Sequence, residues 1–146
     1  MHVLYIGFLF SLISSFSFTV LGQTESSSLL ENLELAQNDT SRITILISVS
    51  LSFVQTNPDS AEYYALKASE LAHDNSSLIH QVQAGLHLGR VYIRQGAYAK
   101  GLQTFLTVLT TLEELPDEIE LKAATLRGVG NIYFIQYKYE EAISFY

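Results

Sequence analysis

Arg90 and Arg94 stand four residues apart in a stretch, Asn75 to Leu112, that holds no acidic residue at all. Lys100 is the third cation of that stretch. The whole chain carries 15 acids against 8 bases, a formal net charge of −7. Cations without acids, in so acidic a chain, read either as a place that attracts an anion or as an ordinary groove that is solvated or filled by the next part of the same chain. A guanidinium presents a planar fork of donors that matches a carboxylate. The acidic balance also argues against non-specific nucleic-acid binding, which depends on cations neutralising many phosphates.

The other chemistry-bearing residues form no constellation. His80 and His87 are seven residues apart, about 10.5 Å along a helix, too far to share one metal ion. No HExxH-like ligand spacing is present, and both read as surface or hydrogen-bonded histidines. Glu113, Glu114, Asp117, Glu118 and Glu120 put five acids into eight residues. A calcium loop needs a glycine turn that is missing here, whereas acids beside Pro116 suit the start of a helix and its dipole. Nine tyrosines suggest either stacking on a sugar or nucleotide, or core packing, and packing is the preferred reading. With no cysteine, disulfides, thiolate metal sites and cysteine nucleophiles are excluded. No serine elbow or phosphate loop stands out. No catalytic, cofactor-binding or metal-binding residue is therefore assigned, and no enzyme activity is expected of this segment.

The elements that would position the arginines are written twice. Gly89, Tyr92, Gln95, Tyr98, Gly101 and Phe105 return as Gly130, Tyr133, Gln136, Tyr139, Ala142 and Tyr146, about 40 residues on. A period of this length marks stacked structural repeats that share a core. Leu88, Val91 and Tyr92 keep the i, i+3, i+4 spacing of a helix. Gln95-Gly96 breaks that run, and Tyr98, Leu102, Phe105, Leu106 and Leu109 make the stripe of a second helix. Each unit thus reads as helix, tight turn, helix. Gly89 and Gly130 allow the second helix to approach, Gly101 and Ala142 are small at the facing place, and Tyr92 and Tyr133 fill the space beside them. Gly96 can take a positive φ; Tyr137 replaces it in the later copy, so that turn is expected to be built differently.

This pattern, Leu88-Gly89-x-x-Tyr92 through Gly96, Tyr98 and Gly101 to Phe105, resembles the tetratricopeptide repeat. The copy from Val129-Gly130 to Tyr146 is similar. The resemblance implies an all-α fold, a right-handed solenoid of antiparallel helix pairs. The usual repeat has about 34 residues. The longer period here is similar to that of the extracytoplasmic repeat regions of bacterial sensor histidine kinases and regulators.

An earlier, degenerate copy is read over residues 42–74, followed by repeats over 75–115 and 116–146. Asn57-Pro58 reads as N-cap and first helical residue, with Ala61, Ala65 and Ala68 in the places of Gly101, Phe105 and Val108. Its partner, Arg42 to Gln55, alternates apolar residues as a strand would, yet Ile43, Leu46, Ile47, Ser50, Leu51 and Val54 also form a helical stripe. Its own residues favour the strand slightly, but the resemblance implies a helix here, since a lone strand in a helical stack would have no partner. Residues 23–41 form a lead-in, with a short helix from about Ser27 to Gln37 and a turn in which Asp39, Thr40 or Ser41 caps the next helix.

Residues 1–22 read as a signal peptide cut before Gln23, the alternative being an uncleaved anchor. The chain is thus expected in the periplasm or at the extracytoplasmic face of the inner membrane. Contact with the membrane would come only from an uncleaved leader or from a C-terminal part beyond Tyr146. The second helix of the last repeat has barely begun at Tyr146, so the chain reads as the front piece of a longer protein, one that could include a kinase or a DNA-binding domain.

In proteins of this family the first helices of the repeats line a groove for extended peptides. By that resemblance the groove would show Gln83, Leu86, Arg90, Ile93 and Arg94 from one repeat, and Arg127, Asn131, Phe134 and Ile135 from the next. The expected function is a non-catalytic protein-interaction scaffold whose partner is a protein or peptide with an acidic or carboxylate segment. The alternative is the sensor region of a bacterial two-component kinase or transcriptional regulator.

Overall fold

The computed structural model describes residues 27–146; the leader expected over residues 1–22 lies outside the described residues. Among the described residues every regular element is a helix and none is a strand. A short α1 (27–35) leads into α2 (Asp39–Phe53), α3 (Pro58–Asp74), α4 (Leu78–Arg94), α5 (Tyr98–Leu112), α6 (Ile119–Ile135) and α7 (Tyr139–Ser144). None of these helices is long and apolar enough to cross a membrane.

Local signals account for most helix boundaries. Asn57 caps α3 by accepting from the Ser60 amide at 3.1 Å, with Pro58 at the first helical position. The cap of α2 is Asn38, whose side chain accepts from the Ser41 amide at 2.8 Å; it is not Asp39, Thr40 or Ser41, which all lie inside the first turn. The ambiguous segment 42–55 is helical over most of its length, up to Phe53. Its hydroxyls donate to carbonyls four residues back, Thr44 to Thr40 and Ser48 to Thr44, each at 3.0 Å. Those bonds let small hydroxyl residues sit on a helix surface. Ile43, Leu46, Val49 and Ser50 are buried, while Leu51, expected inside, is exposed. The helical stripe meets the alanines Ala68, Ala72 and Ala84, and that burial outweighs the strand propensity of the segment.

From α2 onward each helix packs on the next, and α2 also touches α4, as α4 touches α6. The backbones of α3 and α5 stay apart, bridged by the Lys100–Glu62 ion pair at 3.4 Å. The result is one layer of α2, α4 and α6, with α3, α5 and α7 behind it. Across α4 and α5, Gly85 faces Val108, Gly89 faces Phe105, and Tyr92 lies against Gly101, so the two run antiparallel. The same places are buried on α3 and α5: Ala61, Ala65, Ala68 and Ala72 on one, Gly101, Phe105, Val108 and Leu112 on the other.

Phe105 is fully buried with Leu86, Val129 and Ile132. A Cβ added at Gly89 would overlap its ring, and one at Gly128 would come within 2.6 Å of it. The ring therefore occupies a slot that both α4 and α6 leave open. The later copy repeats the contact: Gly130 lies beneath the Tyr146 ring, and a Cβ there would stand 3.0 Å from it and 3.3 Å from the Ala142 carbonyl. Tyr133 is half-buried and stacks on Phe145 at 5.5 Å between ring centroids. Phe145 is thereby half-buried.

Two further expectations are corrected. Glu113 and Glu114 sit at the C-terminal end of α5, and only Glu118 and Glu120 flank the start of α6. The acidic cluster is thus a solvated link between two helices, and only part of it complements a dipole. The turn at Tyr137 is not built differently either. Gly96 has φ 73° and Tyr137 has φ 63°. In both turns the residue after the left-handed one donates to a carbonyl five back, Ala97 to Tyr92 at 2.9 Å and Lys138 to Tyr133 at 3.0 Å. Those bonds close the helix end and hold tyrosine in a conformation that costs an L-residue about 1–2 kcal/mol. Tyr137 is largely exposed, so Tyr137→Gly relieves strain and removes little packing. Urea unfolding should show a gain of about 0.5–1 kcal/mol for Tyr137→Gly and a loss of similar size for Gly96→Ala; the opposite signs would refute the shared turn.

Candidate functional site

The helix α4 is the centre of the layer, flanked by α2 and α6 and backed by α3 and α5. Its first three turns, from Leu78 to Gly89, carry no formal charge, and Ala84 to Gly89 are all buried. Charge appears only in the last turns, at Arg90 and Arg94, where the helix surfaces.

Here Leu51 and Val54 of α2 and its end, His87, Arg90, Val91, Ile93 and Arg94 of α4, and Asn131 of α6 line a pocket of about 320 Å³. Arg127 stands near Arg90: burial first, then the positive charge of Arg127, lowers the Arg90 pKa from its ordinary value. Among the described residues none of Arg90, Arg94 and Arg127 forms an ion pair; the two salt bridges are Lys67–Glu70 and Lys100–Glu62. Lys100, the third cation of the acid-free stretch, is thus already engaged by Glu62, which also accepts from Gln95 Nε2 at 3.0 Å.

The side-chain carbonyl of Asn131 accepts from the Tyr146 hydroxyl at 2.8 Å. That bond orients the side-chain amide and leaves its N–H groups available to a ligand. Four of the residues expected to share a face, Arg90, Ile93, Arg94 and Asn131, line this one pocket. Gln83, Phe134 and Ile135 are exposed elsewhere on α4 and α6; Phe134 meets Tyr139 edge-on at 5.5 Å between centroids. Leu86 is the exception. It is only 5% exposed and packs with Phe105, Val129 and Ile132, because α6 closes over that side of α4. It is a core residue and offers nothing to a ligand.

The residue that spacing alone did not single out is His87, 5% exposed. Its Nε2 lies 2.8 Å from the Ser50 Oγ, and Ser50 donates to the Ala61 carbonyl at 2.6 Å. With the Ser50 proton committed to that carbonyl, the hydroxyl must accept from His87, so Nε2 carries the imidazole proton and Nδ1 is bare. His80, by contrast, is half-buried and meets Ser77 through Nδ1 at 2.7 Å. No group of three or more His, Asp or Glu that could hold a metal occurs among the described residues. The signal in the sequence was the run from Leu78 to Gly89 without a formal charge, which suits a helix covered over much of its surface. The chain matches no protein-family model and no curated protein.

Burial, and then the charge of Arg90, lowers the His87 pKa to about 4 from the ordinary 6.5. The unfolded chain therefore binds more protons than the folded one between those values. Stability is complete above about pH 6.5 and falls as pH drops toward 4, by up to about 3 kcal/mol. Thermal unfolding followed from pH 7 to pH 4 should show this loss, and His87→Gln, which keeps an N–H for Ser50, should flatten it. Parallel curves for the two proteins would contradict the assignment.

Proposed function

We propose that the chain is a non-catalytic interaction module, a solenoid of tetratricopeptide-like repeats whose face formed by α2, α4 and α6 receives an acidic segment of a protein partner. The observation that carries this reading is the meeting of Arg90 and Arg94 in one pocket beside Asn131, with Arg127 close to Arg90 and none of the three ion-paired among the described residues. Two guanidinium groups brought together without a carboxylate repel one another, and an anionic ligand relieves that repulsion. Forked hydrogen bonds from the guanidinium groups and an N–H from Asn131 would orient a carboxylate. Leu51, Val54 and Ile93 supply apolar contact on the same face, so a segment mixing acidic and aliphatic side chains fits better than a free anion.

The solenoid reading draws support from the matching helices. The helices α4 and α6 each span 17 residues, begin 41 residues apart, and place a glycine against an aromatic ring of the following helix or its end. The contacts of α2 with α4 and of α4 with α6, without close backbone approach of α3 to α5, are those of a stack that curves toward α2, α4 and α6. Together with the apolar leader, these features favour an exported scaffold.

The test is binding of an end-blocked, fluorescein-labelled hexaglutamate peptide at low salt. The double reversal Arg90→Glu with Arg94→Glu should weaken it by at least about tenfold, whereas Lys67→Glu, on α3 outside the pocket, should change affinity by less than about twofold. Equal effects of the two variants would show that only net charge matters and would overturn the reading.

A further inference from the structure

We propose that this pocket takes up its carboxylate ligand together with a proton, which is held on Nδ1 of His87 and donated to the ligand. The inference rests on the acidic-segment reading and adds a residue and a regulation to it. His87 lines the pocket with Arg90, Arg94 and Asn131. Its Nε2 is fixed by Ser50, and Ser50 by Ala61, so the ring cannot turn to offer the other nitrogen without breaking a buried hydrogen bond. Nδ1 has no hydrogen-bond partner among the described residues, yet no side-chain nitrogen or oxygen that is fully buried lacks one. Nδ1 therefore keeps some contact with the open space of the pocket.

The groups around His87 explain why it stays neutral when the pocket is empty and charges when it is filled. From α2 come Ser50, Leu51 and Val54, none of which titrates in this range. From α3 comes only the Ala61 carbonyl, reached through Ser50. From its own helix come Arg90 and Arg94, and from α6 comes the neutral Asn131, with Arg127 of α6 acting on Arg90. The charged groups that line the pocket, Arg90 and Arg94, are both cations, and burial together with Arg90 disfavours the imidazolium. A carboxylate placed among the arginines reverses that field at Nδ1 and gives the added proton an acceptor. Proton and ligand then bind cooperatively, each raising affinity for the other by the same factor. Binding tightens as pH falls below the His87 midpoint of the complex, and the gain levels off near the midpoint of the empty pocket. Glutamate side chains, with an ordinary pKa of about 4.3, remain ionised through most of this window.

The experiment is an NMR titration of the His87 ring between pH 7 and pH 4, without and with saturating end-blocked hexaglutamate, combined with affinities at pH 7 and pH 5. The expected result is a His87 midpoint raised by about 1.5 pH units or more in the complex, and roughly fourfold tighter binding at pH 5 than at pH 7. His87→Gln, which retains a donor to Ser50, should lose the pH dependence and bind with one affinity at both pH values. Binding that needs Arg90 while the His87 midpoint stays in place would overturn the proton coupling and leave the acidic-segment reading standing. Absence of peptide binding at both pH values would overturn both.

Discussion

The ring of Phe105 is the constraint on which the arrangement depends. It comes from α5 and enters a slot that α4 and α6 leave open through Gly89 and Gly128. A slot lined by glycine lets two helices close on a large ring without a cavity, and dense packing of this kind fixes helix spacing to a few tenths of an ångström. Leu86, Val129 and Ile132 complete the enclosure. The separation of α4 from α6 is therefore set by one aromatic residue, and that separation decides which surface residues of the two helices become neighbours.

One such pair of neighbours is Arg90 and Arg127. Two cations close together without an acid represent free energy stored by the fold: tertiary packing holds them there and nothing nearby neutralises them. The same packing buries His87 one turn below Arg90 and ties it to α2 through Ser50. The core and the candidate site thus share a helix. Its turn from Ala84 to Gly89 carries no charge and is buried, while its last turns surface with the guanidinium groups. An acidic chain with a localised positive pocket suits a partner recognised by charge and register, and any such attraction weakens as salt screens it.

The fold was legible in the sequence where the repeated residues have a mechanical role. Gly89 facing Gly101, Gly101 beside Tyr92, and Gly130 with Ala142 occupy the places their spacing implied. Residues 42–55 were ambiguous because their own preferences point to a strand, and it was the repeat resemblance, with no partner strand in a helical stack, that favoured the helix that packing enforces. The cap on Asn38 and the tyrosine at φ 63° escaped a reading by residue type, since several polar residues compete for a cap and a hydrogen-bonded helix end can force an unfavourable φ. At the site, Arg90, Arg94 and Asn131 were legible from charge and repeat position. Leu86 was misplaced because the period of one helix does not reveal which side its neighbour covers. His87 was read only as a surface or hydrogen-bonded histidine, because its partner Ser50 lies 37 residues away and no local pattern displays that bond.

Phe105 and the two glycines act as one unit, and a double-mutant cycle tests this most directly. Gly128→Ala should destabilise the chain in urea unfolding by about 1–3 kcal/mol, the cost of overpacking a filled core. In a Phe105→Leu background, where the smaller side chain vacates the slot, the same alanine should cost far less, a coupling of at least about 1 kcal/mol. Equal costs in the two backgrounds would mean that the ring does not set the spacing of α4 and α6, and the placement of Arg90 beside Arg127 would need another cause.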